Sequence, residues 1–144
     1  MDVLVVVDMQ KDFISGALGT KEAVAIVPRV AKKIAQAKKA GKTVVFTRDT
    51  HHENYLQTQE GKNLPVPHCI ENTPGWEIDP ALDTTGARIF DKPSFGSEEL
   101  VQYLKGLDNL TSAKFVGLCT DICVITNVLS AKCALPELPI AVDS

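Results

Sequence analysis

Residues Val3-Leu4-Val5-Val6-Val7 restrict the fold more than any other stretch of the chain. Five consecutive apolar residues, four of them β-branched, show no alternation with polar ones. An unbroken run of this kind suits a strand covered on both faces, the central position of a parallel sheet. Parallel neighbours need long crossover connections, usually helical, and the chain that follows is patterned to supply them. Between residues 22 and 40, Val24, Ile26, Val27, Val30, Ala31, Ile34, Ala35 and Ala37 recur at helical spacing, lysines occupy the other face, and Gly41 ends the run. Further strands are expected at residues 43–47, 87–90, 114–116 and 139–142. A helix capped by Ser97 or Glu98 should run to about 107, and another from 121 to about 133. Residues 53–83, with four prolines and the single tryptophan, read as a long irregular excursion. Five strands and at least three helices in this order define an α/β, doubly wound, mostly parallel sheet flanked by helices.

At 144 residues the chain is expected to form one domain, 1–144. A composition of 44% hydrophobic and 23% charged residues excludes disordered and fibrous classes. The net charge of −3, without a basic run, argues against a nucleic acid partner. Four cysteines are too sparse for a secreted disulfide scaffold, and the apolar run at residues 3–7 is too short for a signal peptide. No apolar stretch nears the roughly 20 residues that span a bilayer. The expectation is a soluble, cytoplasmic protein with no membrane partner, and a small molecule is the ligand class left open.

The polar clusters all fall at carboxyl ends of expected strands, the edge where open α/β sheets bind ligands. Asp8 ends the first, Asp49 and His51 follow the second, Lys92 the third, and Cys123 the fourth. Cys123 falls in the first turn of the expected helix after Thr120-Asp121, where exposed amides and the helix dipole would lower its pKa. Asp8 and Lys92 supply the base and the cation that a cysteine nucleophile needs. Each has a plainer reading: Asp8 as a turn cap, Lys92 as a solvated strand end, Cys123 and Cys133 as core or helix-end fillers. Asp49 and His51, two apart in extended backbone, point to one side; with His68 and Glu60 they form a ligand set suited to zinc, iron or manganese. Polar surface histidines are the alternative, and His52 should point away.

Val-Val-Asp8-Met-Gln-x-Asp-Phe, Arg48-Asp49-x-His51, Pro67-His68-Cys69, Lys92-Pro-Ser-Phe-Gly and Gly117-x-Cys-Thr-Asp-Ile-Cys123-Val together resemble the isochorismatase-like cysteine hydrolases, the nicotinamidases most of all. The likeness extends from residue 2 to 143. It implies a Rossmann-like sandwich and an Asp8–Lys92–Cys123 triad. It also implies an oxyanion hole from the backbone amides of Cys119 and Cys123, and a cis peptide at Leu118–Cys119. A divalent metal, zinc first, with iron or manganese as alternatives, would be held by Asp49, His51 and His68 with Glu60 as a fourth ligand. Phe13, Phe95 and Leu118 would line the substrate pocket. The implied reaction is hydrolysis of a small amide through a thioester, nicotinamide to nicotinate and ammonia, by a homo-oligomer. A metal-free relative cutting another amide or carbamoyl compound, and a silent binding or scaffold member, are the competing readings. Two features depart from the pattern. Pro65 stands where nicotinamidases carry a ring-stacking tryptophan, and family members continue past the strand at 139–142 with further helices and a strand, so C-terminal elements are expected to be missing.

Overall fold

The computed structural model describes residues 1–143. Five strands, β1 (Asp2–Val7), β2 (Thr43–Asp49), β3 (Arg88–Lys92), β4 (Ser112–Gly117) and β5 (Ile140–Val142), form one all-parallel sheet in the order β3-β2-β1-β4-β5. β1 is central, as its unbroken apolar run requires, and Val3 to Val7 are all buried. Helices α1 (Lys11–Ile14) and α2 (Lys21–Lys39) follow β1, α3 (Gln59–Asn63) lies in the long β2–β3 connection, α4 (Glu98–Lys105) precedes β4, and α5 (Ile125–Ala134) precedes β5. Among the described residues no helix is long and apolar enough to cross a membrane.

Strand alternation divides the core between the two faces. Val3, Val5, Val7, Val45, Phe90 and Phe115 pack with Leu100 and Leu104 of α4 and Ala131 of α5. Leu4, Val6, Val44, Phe46 and Val116 pack with Val27, Val30, Ile34 and Ala37 of α2. Burying each large aliphatic side chain contributes roughly 1.5–3 kcal/mol. α2 is capped by Thr20, whose hydroxyl accepts from the Ala23 amide at 3.0 Å, and it runs through Pro28 on its solvent face. There the carbonyl that loses its helical donor can turn to water.

Two strands extend further than their apolar runs suggest. β2 reaches Asp49 and β3 reaches Lys92, because the ladder continues through the polar pair Arg48↔Asp91 to Asp49↔Lys92. The excursion at 53–83 is less irregular than expected, with 3-10 turns at Tyr55–Gln57 and Pro74–Trp76 as well as α3. The helix expected from 121 begins as a π-helical turn, Thr120–Val124, and becomes α-helical only at Ile125. Cys133, read as core or helix-end filler, is exposed in the last turn of α5.

Candidate active site

The sheet order reverses between β1 and β4, and the carboxyl ends of β3, β2, β1 and β4 carry Lys92, Asp49, Asp8 and the turn to Cys123. Thr47, Asp49 and Lys92 share the strand parity of Val45 and Phe90, so they point to the α4/α5 side where Cys123 sits. Simple alternation would send Asp8 to the α2 side with Leu4 and Val6. Its left-handed backbone, φ 51°, turns it back toward the others. Asp8 Oδ2 lies 2.6 Å from Lys92 Nζ, both residues essentially inaccessible, and Asp8 Oδ1 accepts from the Thr47 hydroxyl at 2.7 Å. Lys92 also donates to the Ser94 carbonyl at 3.0 Å.

Electrostatics in this cluster are those of a buried ion pair beside a thiol. Burial would lower Lys92, but Asp8, Cys123 and Asp49 together outweigh it, Asp8 most of all, and keep the amine charged. Burial pushes Asp8 above the usual carboxylate range despite the pull of Lys92, with the Asp49 charge adding to the rise. Cys123 corrects an expectation: its thiol is pushed up, not down. Burial is the main cause, and the Asp8 carboxylate adds to it both by charge and as a hydrogen-bond acceptor. A helix dipole lowers the pKa of a thiol at an open α-helical N-terminus, whereas Cys123 lies buried late in a π turn. A resting thiol next to a basic carboxylate needs that carboxylate to become a nucleophile.

The Leu118–Cys119 peptide is cis. The Cys119 amide makes no hydrogen bond among the described residues, while the Cys119 carbonyl accepts from the amides of Ile122 and Val124 at 3.2 and 3.0 Å. Gly117 permits this turn: at φ 125°, its amide plane passes so close to β1 that a Cβ would lie 2.1 Å from the Val7 carbonyl oxygen.

The second cluster comprises Asp49 Oδ2, His51 Nε2, Glu60 Oε2 and His68 Nε2, all within 4.8 Å of one another. His51 Nε2 is 2.9 Å from Asp49 and 3.2 Å from Glu60. His68 Nδ1–H donates to the Val66 carbonyl at 2.7 Å, which leaves Nε2 to face the cluster, the usual outer contact of a ligating histidine. Burial opposes the charge on Asp49, yet hydrogen bonds from His51 and His68 and the Lys92 charge hold its carboxyl far below the ordinary range. Burial likewise opposes the charge on His68, which the bond to Asp49 nevertheless raises. Asp49 Oδ1 is buried without a hydrogen-bond partner and lies 3.8 Å from Lys92 Nζ, so this carboxylate faces both clusters. Two carboxylates and two imidazoles converging in a buried site fit a divalent ion.

The loops hold this set from outside. The His51 amide donates to Cys69 O and the Glu71 amide to His51 O, clamping His68 beside His51. Tyr55 presents ring edges to both imidazoles, at 4.8 and 5.1 Å, and donates its hydroxyl to the Leu64 carbonyl. Burial and nearby Glu60 push that phenol up to about 12, so it remains a donor. Two further residues escaped the sequence reading. Buried Gln10 donates to the carbonyls of Asp49 and Trp76 and accepts from the Asp49 amide, each at 2.8 Å. Asp12 accepts from the Cys69 amide at 2.8 Å. Both fall within the Asp8-Met-Gln-x-Asp-Phe segment, which was the available signal.

Of the expected pocket residues, Phe13 is buried with its ring 5.4 Å from that of His68, whereas Phe95 is 44% exposed. Leu118 packs with the core on the α2 side. Pro65 is exposed; Trp76 stacks on Arg48, 3.8 Å from guanidinium carbon to ring centre, and donates to the Thr50 hydroxyl. His52 points away, toward Glu71.

A parallel sheet with this site at its switch point has relatives. The isochorismatase domain matches residues 2–133, and the chain belongs to that family. Within it, the chain is 28% identical to the nicotinamidase of Schizosaccharomyces pombe over an alignment covering 90% of this chain and 76% of the relative. It is 29% identical to the nicotinamidase/pyrazinamidase of Mycobacterium tuberculosis, covering 86% and 75%. Among solved structures it resembles the pyrazinamidase of Pyrococcus horikoshii in complex with zinc, with TM-score 0.78, 29% identity and coverage of 99% and 98%. It also resembles the pyrazinamidase/nicotinamidase of Streptococcus mutans, with TM-score 0.86, 26% identity and coverage of 99% and 84%.

Proposed function

We propose that the protein is a metal-assisted cysteine amidohydrolase that converts nicotinamide, or a close heteroaromatic amide, to the acid and ammonia. The observation that carries this reading is the Asp49 carboxylate, which faces the His51–Glu60–His68 set with one oxygen and Lys92 of the Asp8–Lys92–Cys123 group with the other. The named activities of the relatives in yeast and mycobacteria agree with it.

In this mechanism Asp8, made more basic by burial, takes the Cys123 proton, while Lys92 orients Asp8 and balances its charge. Cys123 Sγ attacks the amide carbonyl, and the amides of Cys119 and Cys123 receive the oxyanion, each donor supplying about 3–4 kcal/mol at such sites. The amine leaves as ammonia with the proton held by Asp8, forming a thioester. Asp8 then deprotonates a water that cleaves the thioester, releasing the acid and restoring the thiol. A divalent ion, zinc by its ligand chemistry and by the zinc-bound relative, would be held by Asp49, His51, His68 and Glu60 and would supply Lewis acidity and a docking point for a ring nitrogen.

Ammonia release from nicotinamide by protein loaded with zinc tests the reading. Turnover should be lost in His51→Ala together with bound metal. Undiminished turnover by metal-free protein would refute the metal's part, and absence of turnover on nicotinamide and pyrazinamide would refute the substrate class.

A further inference from the structure

The nucleophile turn and the loop that follows Lys92 are joined by one side chain that the mechanism above does not use. Asn127, in α5, is fully buried. Its amide nitrogen donates to the Cys123 carbonyl at 2.8 Å and to the Phe95 carbonyl at 3.1 Å, and its oxygen accepts from the Ser97 amide at 2.9 Å. The loop it grips is held at its other end by Lys92, which donates to the Ser94 carbonyl. The contact between loop and helix is close, since a Cβ on Gly96 would lie 3.0 Å from the Thr126 methyl.

Burying an amide has little net benefit for stability even when every donor and acceptor is satisfied. Such a network instead fixes a single geometry. Asparagine is also a poor residue for a helix interior, so packing or propensity alone would favour another choice. Its three bonds end on the backbone of the nucleophile itself and on the segment between Lys92 and α4.

We infer that Asn127 is a positioning residue that fixes the Cys123 turn against the Lys92–Ser97 loop, and so sets how the thiol meets Asp8 and Lys92. The inference rests on the reading of Cys123 as nucleophile. The α5 helix that places Asn127 begins only after the π turn, so the side chain reaches back one turn to the Cys123 carbonyl. An α-helical turn from 120 would shift that register. In a reaction where a displacement near 1 Å can lower the rate about a hundredfold, a link of this kind controls turnover without touching substrate.

Two variants separate positioning from folding. Asn127→Ala removes all three bonds; Asn127→Ser keeps a hydroxyl able to bond the Cys123 carbonyl one turn back but cannot reach the loop. In the metal-loaded protein, kcat per folded molecule should fall about tenfold to a hundredfold in Asn127→Ala, with KM within about threefold of the parent. Asn127→Ser should be intermediate. Iodoacetamide labelling of Cys123, followed by peptide mass spectrometry, should change in the same order, while labelling of exposed Cys133 stays constant. Unchanged kcat and Cys123 labelling per folded molecule, with only a lower Tm, would overturn the inference. So would failure of both variants to fold, which would make Asn127 a determinant of the fold instead. A parent protein inactive on every small amide would refute the proposed function, and the labelling comparison would still judge Asn127 separately.

Discussion

At the scale of single residues, the site depends on a charge pair placed where charges rarely sit. Asp8 is 0% and Lys92 1% exposed. A buried ion pair adds little stability relative to apolar residues of the same shape, but removing one partner strands the other. Lys92→Met should therefore destabilise the protein by about 3–5 kcal/mol at neutral pH, measured by urea unfolding. A change below about 1 kcal/mol would mean that Asp8 does not carry its charge in the fold. The residue types at these positions were legible from the sequence, because Asp8, Asp49, Lys92 and Cys123 each follow an apolar run. Their orientations were not. Alternation along β1 sends Asp8 to the α2 side, and only its left-handed backbone, stabilised by neighbours from other strands, brings it to Lys92. The thiol's shift is hidden for a similar reason: sequence shows that a helix follows Cys119, but not that its first turn is π-helical and buries Cys123.

At the scale of elements, the strands and crossover helices follow from hydrophobic period, and their ends from pairing. Lys92 and Asp49 lie inside strands because β2 and β3 continue their ladder past the apolar residues, a tertiary effect that a single segment does not display. The segment at 53–83 is recognisable as an excursion, but what brings Glu60 and His68 back to His51 is long-range: the pairing of His51 with residues 69–71 and the anchors Gln10 and Asp12. The β4 end has a sharper requirement. Gly117→Ala would place a methyl 2.1 Å from the Val7 carbonyl oxygen in a backbone conformation that disfavours side chains. The expected outcome is loss of more than about 3 kcal/mol of stability and of Cys123 reactivity together, since the same turn carries both. Retention of parental unfolding midpoint and activity would show that β4 does not end as described.

At the scale of the whole molecule, the Asp49–His51–Glu60–His68 cluster makes stability depend on pH in opposite ways without and with metal. In metal-free protein His68 is raised, so its contribution is fully present below its unfolded value near 6.5 and is lost as pH rises through the folded value. Asp49 is lowered, so its contribution is present above about 3.9 and is lost as pH falls through the folded value. These groups make chelated protein more stable near pH 6 than near pH 8. Zinc needs the neutral imidazole, so its added stability, about 2.7 kcal/mol at a hundredfold excess over Kd, should grow from pH 6 to pH 8. Thermal melts with chelator and with zinc at both pH values check the crossing. Parallel pH trends in the two series would argue against ligation by His68.

In the proposed reaction Cys123 forms a covalent acyl intermediate on the sheet edge shared with Asp8 and Lys92. Acid-quenching the zinc-loaded protein during turnover of nicotinamide, followed by intact-protein and peptide mass spectrometry, examines that bond itself. A nicotinoyl thioester on Cys123, absent from Cys123→Ala, is the predicted result. An adduct on Cys119 or sustained nicotinamide turnover by Cys123→Ala would contradict it.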